Sequence, residues 1–378
     1  MEPEKKMGFL KRAKTKTAIQ INSVMALVVR TLLAKYLSHQ KLEKLDLTGK
    51  NAIITGSNTG LGKAMATHLA EMNATIYLVC RNLEKAEVAK ADILKSAPNA
   101  TIHLLQLDTS TLENCRKFCE KWETDGGKPI DILMHNAGVG SAPTREQTFG
   151  PDGFEYLYMT NLLSNILMTY MLEKFFAPNA RVIMTSSPGC YVGGISSQFE
   201  TQSTKQSIEK GFNYPDGQKP QNSILYSNTK LMQLCFAKNL MRKWKLEGKD
   251  YVAHAYNPGY AASEFFNKDG VHDTKRKMDP IWWILKNGVN LAMPSSEGCK
   301  TGVMLATSQS KKVAATGGRL WERMKTRTCI IDLYDNKLLD KLWTRWCLDV
   351  GIQWDLIPKE LLSEGSVDGG STIATMEK

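Results

Sequence analysis

The sequence predicts an α/β fold: a doubly wound, mostly parallel sheet with helices on both faces. Three observations carry this. Short apolar runs recur along the chain and read as buried parallel strands. The first of them ends in a glycine-rich turn that opens into a helical pattern. Farther on, a run ending in two serines is followed by a Tyr and a Lys four residues apart, a spacing that puts both on one helix face.

Ahead of the sheet lies a basic arm. Residues 1–40 hold eight Lys or Arg against Glu2 and Glu4, more than half of the formal charge of +11. Lys11, Arg12, Lys14 and Lys16 precede an uncharged stretch from Thr17 to Val29. That stretch is shorter than the roughly 20 residues a spanning helix needs. Projected at about 100° per residue, Gln20, Ser23, Arg30, Thr31 and Lys35 share one side, and Ile19, Ile21, Val24, Met25, Val28, Leu32 and Tyr36 lie mostly on the other. Two readings stand: an interfacial anchor or targeting signal using residues 11–37, or a helix packed on the protein's own core. The first predicts membrane association at the endoplasmic reticulum or another organelle surface, with a mitochondrion or plastid as the alternative. Glu2 and Glu4 count against a mitochondrial transit peptide, which is acid-poor. Nucleic acid is not the expected partner, because the basic charge comes without zinc spacing, an aromatic RNA-binding motif or repeats. Eight cysteines with no C-x-x-C pair predict reduced thiols in an intracellular protein, and no metal site is expected.

Asn51–Thr55 is the first strand, and Gly56-Ser57-Asn58-Thr-Gly60-Leu61-Gly62 follows at once. A turn of this kind sets backbone N–H groups and a helix N-terminus beneath a phosphate. Gly56 and Gly60 permit the tight path, and Gly62 removes a side chain where groups approach closely. The second strand, Ala74–Val79, ends in Cys80-Arg81-Asn82. An acid there would bind a ribose 2′-hydroxyl; the Arg81 guanidinium suits a 2′-phosphate, so NADP(H) is favoured over NAD(H). The third strand, Ile102–Leu107, ends in Asp108-Thr109. Asp108 either binds the adenine edge or caps the next helix. The fourth, Ile130–Met134, leads into His135-Asn136-Ala137-Gly138, small residues that let a cofactor lie against the backbone.

Val182–Thr185 is the fifth strand, and Ser186-Ser187 follow it. In Tyr226-Ser-Asn-Thr-Lys230, a lysine ammonium and a positively charged nicotinamide would lower a phenol whose free pKa is about 10. Ser187 is placed to hydrogen-bond a carbonyl oxygen as charge develops on it.

With these residues in this order, the chain resembles the short-chain dehydrogenase/reductase family. The motifs are Thr55-Gly56-x-x-x-Gly60-x-Gly62, Asn136-Ala-Gly138, Ser187, Tyr226-x-x-x-Lys230 and Asn257-Pro258-Gly259, over roughly residues 48–310. Ser-Asn-Thr-Gly-Leu-Gly, Cys80-Arg81-Asn82, Tyr-Ser-Asn-Thr-Lys-Leu, Gly153-Phe-Glu and Thr160-Asn161 resemble the retinol-dehydrogenase-like and protochlorophyllide-reductase-like branch. The resemblance implies a Rossmann-type sheet of seven strands. It implies that Tyr226 is the general acid in reduction and the base in oxidation, and that Lys230 lowers its pKa and binds the nicotinamide ribose. It implies that Ser187 orients the carbonyl, that Asn161 holds a water linking Lys230 to solvent, that Pro258-Gly259 faces the nicotinamide and that Ser263 contacts its carboxamide. Homodimers are common in the family.

The chain departs from the pattern at His135, at Leu162-Leu-Ser-Asn165 and in the long connection between Ser187 and Tyr226. Residues 191–223 read as a loop that forms a lid or partner site, or else a surface excursion. Trp282 and Trp283 point to a bulky apolar substrate, a bilayer interface or plain core packing. The expected organisation is a basic amphipathic segment at 1–47, a catalytic domain at 48–310, a tryptophan-bearing folded extension at 311–362 and a disordered tail at 363–378. The expected function is hydride transfer between NADP(H) and the carbonyl/alcohol group of a small lipophilic substrate such as a retinoid, steroid or long-chain aldehyde. The competing reading is a redox sensor or scaffold that binds NADP(H) and acts through the long loop and C-terminal extension.

Overall fold

The computed structural model describes residues 3–30, 33–36, 40–140, 149–195, 222–261 and 292–357. Its centre is one eight-stranded sheet in the order β3-β2-β1-β4-β5-β6-β7-β8. The strands are β1 Asn51–Thr55, β2 Thr75–Cys80, β3 Ile102–Gln106, β4 Ile130–His135, β5 Phe176–Thr185, β6 Val252–Asn257, β7 Leu320–Glu322 and β8 Lys325–Arg327. Every neighbouring pair is parallel except β7 and β8. Chain order reverses direction between β1 and β4, and such a switch point leaves a crevice at the strands' carboxyl ends.

The strands are apolar because both faces are covered. Ala52, Ile53 and Ile54 on β1 and Val182, Ile183 and Met184 on β5 are wholly buried. Helices α2 (Gly60–Ala70), α3 (Leu83–Ser96) and α7 (Lys300–Thr307) pack on one side. On the other lie α4 (Leu112–Thr124), α5 (Ser164–Leu172), α6 (Asn222–Leu246) and α8 (Asn336–Val350). A turn at Tyr156–Tyr158 and a π-turn at Met159–Leu163 lead into α5.

The sheet exceeds the expected seven strands by β8. Glu322 pairs with Lys325, and Arg323 and Met324 between them sit at φ of 51° and 56°. This is a two-residue hairpin without the Asn-Gly or Asp-Gly signal that marks such turns in sequence. Residues past 310 therefore build sheet as well as covering it. α8 lays Trp343 and Trp346 against Phe236 of α6, with ring centroids 5.9 and 6.1 Å apart, and Trp354 closes the same cluster.

Helix α1 (Pro3–Val24) continues into a π-turn at Met25–Val29. It packs beside the 188–191 and 330–333 turns. Its buried side is Ile19, Ala26 and Arg30, and Ile21, Val24, Met25 and Val28 are exposed. The sequence projection put Arg30 on the solvated basic face. Here it is 8% exposed and paired with Glu322 of β7. The π-turn's wider i→i+5 spacing breaks the phase assumed by a uniform helical projection. No helix among the described residues is long and apolar enough to cross a membrane. All eight cysteines are free and buried. Most of loop 191–223, Trp282, Trp283, Ser263 and the 363–378 tail lie outside the described residues.

Candidate active site

The glycine turn leaves β1 at the switch point. Gly56 has a φ of 63°, and a Cβ on it would lie 2.8 Å from the Ala137 Cα. A Cβ on Gly62 would lie 2.3 Å from the Gly56 carbonyl oxygen. The turn can therefore hug the start of α2 only with hydrogen at these positions, which leaves backbone open to a phosphate. Ser57 is wholly buried, and Asn58, Gly60 and Leu61 are half-buried along the same turn. Asn136 locks the neighbouring turn in place: its Nδ2 donates to the Thr55 and Gly56 carbonyls, both at 3.0 Å. The Thr55 hydroxyl accepts from the Asn136 and Ala137 N–H groups at 3.0 Å. These bonds fit the groove to an extended dinucleotide lying across β1 and β4. His135 stays out of it. It is wholly buried, bonded to Thr169 at 2.8 Å and held neutral by burial, which pulls its pKa down to about 3.

Farther along the strand ends, Arg81 is exposed and Asp108 is half-buried. Burial pushes the Tyr156 phenol up, the nearby Asp108 charge adds to this, and the Arg81 guanidinium opposes it. Arg81, Asp108 and Tyr156 thus share one pocket end. Asn82 is committed locally, accepting from Lys85 N–H at 2.7 Å as the cap of α3. Asp108 accepts from Ser110 N–H at 3.0 Å, and the cap of α4 is Thr111. Of the two readings of Asp108, helix capping is therefore not what the structure shows. Thr109 beside it is buried.

Ser187, Tyr226 and Lys230 meet at the carboxyl end of β5. Tyr226 and Lys230 face it from one side of α6, and the Tyr226 phenol lies within reach of the Ser187 hydroxyl. Lys230 Nζ lies 5.5 Å from the centre of the Tyr226 ring and donates to the Thr185 carbonyl at 2.9 Å. Burial pulls the Lys230 ammonium down to about 7. Burial also pushes the Tyr226 phenol up, with the Ser187 hydrogen bond opposing. In the protein alone that direction is the reverse of what a tyrosine base requires. Asn161 sits within the π-turn, and its side chain bridges to Val139 and Thr229.

Pro258 and Gly259 follow β6, and Gly259 N–H donates to the Asn257 side chain at 2.9 Å. Asn257 in turn donates to Glu322 at 3.1 Å. Sequence reading missed Glu322, whose partners lie far away along the chain. It also missed Gln233, and it named Thr55 only as the first residue of the glycine motif. Gln233 bears a local signal, because it stands three residues after Lys230 on the same helical face.

Residues 50–199 match the model of the short chain dehydrogenase family. Human retinol dehydrogenase 13 is 30% identical over 318 residues, covering 82% of this chain and 87% of that protein. Mouse retinol dehydrogenase 12 is 29% identical over 320 residues, covering 82% and 89%. Among solved structures, a Mycobacterium paratuberculosis protein aligns with a TM-score of 0.60 at 20% identity, over 83% of this chain and 97% of its own. A short-chain dehydrogenase/reductase from Serratia marcescens aligns at 0.51 with 16% identity, over 73% and 96%. At these identities the structures speak for the fold. The sequence relatives, aligned over 82% of this chain, show that it belongs to the short-chain dehydrogenase family, in its retinol-dehydrogenase-like branch, and is an oxidoreductase of the CH–OH/C=O pair.

Proposed function

We propose that this enzyme uses NADP(H) to interconvert a lipophilic aldehyde or ketone, of the retinoid, steroid or long-chain type, and its alcohol. The carrying observation is the meeting of Ser187, Tyr226 and Lys230 beside the glycine turn. Gly56, Ser57, Asn58, Gly60, Leu61, Gly62, Asn136, Ala137 and Gly138 would line the dinucleotide. Bound nicotinamide supplies or accepts the hydride at its C4. In reduction, Tyr226 Oη gives its proton to the substrate oxygen while the Ser187 hydroxyl hydrogen-bonds that oxygen. The Lys230 ammonium would hold the phenolate charge that results and so oppose the upward push of burial on Tyr226. Lys230 would also take the ribose hydroxyls, and Pro258-Gly259 would border the nicotinamide. Arg81, aided by Asn82, Asp108 and Thr109 at the same end, would receive the 2′-phosphate and adenine. NADP use is supported by Arg81 standing where an acid would favour NAD. It makes reduction the expected direction in the cell. The names of the retinol dehydrogenase relatives support the substrate class.

The exposed Ile21, Val24, Met25 and Val28, following Lys14 and Lys16, support peripheral contact with an anionic membrane. Flotation of the full chain with phosphatidylserine vesicles, but not with neutral ones, is the expected result. The homodimer implied by the family is read by light scattering on the same preparation.

The functional test titrates the purified full chain with NADPH and NADH, following nicotinamide fluorescence, and then assays all-trans-retinal reduction. Tighter NADPH binding and turnover that Tyr226→Phe abolishes without loss of cofactor binding support the reading. Binding without turnover of any lipophilic carbonyl would leave the sensor or scaffold reading in its place.

A further inference from the structure

Gln233 is wholly buried one helical turn beyond Lys230 on α6, and both ends of its amide are in use. Nε2 donates to the Asn161 carbonyl at 2.7 Å, and Oε1 accepts from Lys230 Nζ at 3.4 Å. The same Asn161 carbonyl accepts from Asn165 Nδ2 at 2.9 Å. A carbonyl oxygen has two lone pairs, so two side-chain amides fill its capacity. The Asn161 side chain is equally committed: Oδ1 accepts from Val139 N–H at 2.8 Å, and Nδ2 donates to the Val139 carbonyl at 3.0 Å and to Thr229 at 3.1 Å. A water carried by Asn161 toward Lys230, the arrangement implied by family resemblance, would have to displace one of these bonds.

We propose that Gln233 is a positioning residue that ties the Lys230 ammonium to the Asn161 turn, so that in this chain the Asn161–Lys230 link is a fixed side-chain amide instead of an exchangeable water. The inference rests on the role proposed above for Lys230. The polarity of the link is set by its far end: a carbonyl only accepts, so the Gln233 NH2 must face Asn161 and its oxygen must face Lys230. An acceptor offered to Nζ favours the ammonium over the neutral amine and opposes the burial that pulls it down. An amide oxygen also carries no proton to hand on, so the link holds Lys230 in place without passing protons to solvent. Protons then exchange on the Tyr226 side, where the substrate enters. The groups facing Nζ among the described residues are few. They are the Thr185 carbonyl from β5, Tyr226 from α6 itself, and Cys190 from the 188–191 turn, which burial pushes up to about 12 and so keeps neutral. Gly138 borders the same space, where a Cβ would come within 3.3 Å of Nζ.

The test is a pH titration of the full chain labelled with ε-13C lysine, the Lys230 signal being identified by its loss in Lys230→Met. Gln233→Leu should move the Lys230 midpoint to lower pH, and Gln233→Glu should move it to higher pH. Gln233→Asn, too short to span both partners, should follow Gln233→Leu. In retinal reduction Gln233→Leu should lower kcat about tenfold with KM within about twofold, the split expected when ordering of the catalytic group is lost and binding is kept. Midpoints that coincide in wild type, Gln233→Leu and Gln233→Glu overturn the proposal, even if thermal stability falls, because that pattern is packing alone. If Gln233→Leu does not fold, Gln233→Glu and Gln233→Asn decide by the same criterion. The titration reads Lys230 whether or not retinal is a substrate, so a failed substrate assignment and a failed Gln233 assignment are told apart.

Discussion

Two arginines fall in regions built on opposite principles. Arg81 follows β2 at the mouth of the proposed dinucleotide groove, exposed and close in sequence to the turns around it. Arg30 lies at the other edge of the sheet, 8% exposed, joined to Glu322 across 292 positions of chain. Glu322 also meets Asn257, so the N-terminal helix, β7 and the Asn257-Pro-Gly259 turn share one buried polar cluster. The groove is made by neighbours along a strand–turn–helix path. The edge is made by segments that meet only after the chain has folded. A charge in the first kind of place can be read as a ligand contact from sequence. In the second it reads as solvated surface until its partner is known.

The largest expected effect is in the groove. Gly62→Val drives side-chain atoms toward the Gly56 carbonyl and should weaken NADPH binding at least about 100-fold, or about 3 kcal/mol, by fluorescence titration. Unchanged affinity would remove the groove from its assigned place. At the edge, Arg30→Met leaves Glu322 buried with Arg327 Nε 3.4 Å away. It should cost about 3 kcal/mol in denaturant unfolding, with Arg30→Met/Glu322→Met recovering more than half. No loss in the single variant would make the edge as independent of the arm as the groove is.

A third experiment concerns a buried carboxyl. Glu155 satisfies itself locally, accepting from Leu157 and Tyr158 N–H groups at 2.9 and 2.7 Å, yet burial pushes its pKa up to about 7. A carboxyl raised in the folded state contributes stability that is full below its unfolded value near 4.5 and is lost as pH rises through 7. Wild type should therefore lose about 2 kcal/mol more than Glu155→Gln between pH 5 and pH 7.5 in urea unfolding. Parallel behaviour of the two proteins would show that the local bonds hold the carboxylate charged. The smallest effect returns to Arg81. Arg81→Glu should shift preference from NADPH toward NADH about tenfold, about 1.4 kcal/mol, and an unaltered ratio would assign discrimination to another group.

What could be read in advance follows the same division. The first five strands stand out as short apolar runs, whereas β6, with His254 in its middle, does not. β7 and β8 do not, being three residues each and joined through Arg323-Met324 without a glycine or asparagine to signal the turn. Ser187, Tyr226 and Lys230 were legible because their order follows the strand ends that carry them. Gln233 was passed over because nothing in a helical repeat says that one buried amide faces the Asn161 carbonyl. Asp108 reads in sequence as a possible cap of the next helix, but the structure gives the capping bond of α4 to Thr111.

The parallel sheet, the glycine turn at its switch point and the Ser-Tyr-Lys residues are legible along the chain, because each rests on a local pattern of a strand end or a helix turn. Only the tertiary structure decided which face of the N-terminal helix is covered, that Arg30 is a buried partner of Glu322, and that Gln233 links Lys230 to Asn161. Those depend on which distant polar groups must find one another once water is excluded, and burial imposes that requirement only when the whole chain is packed.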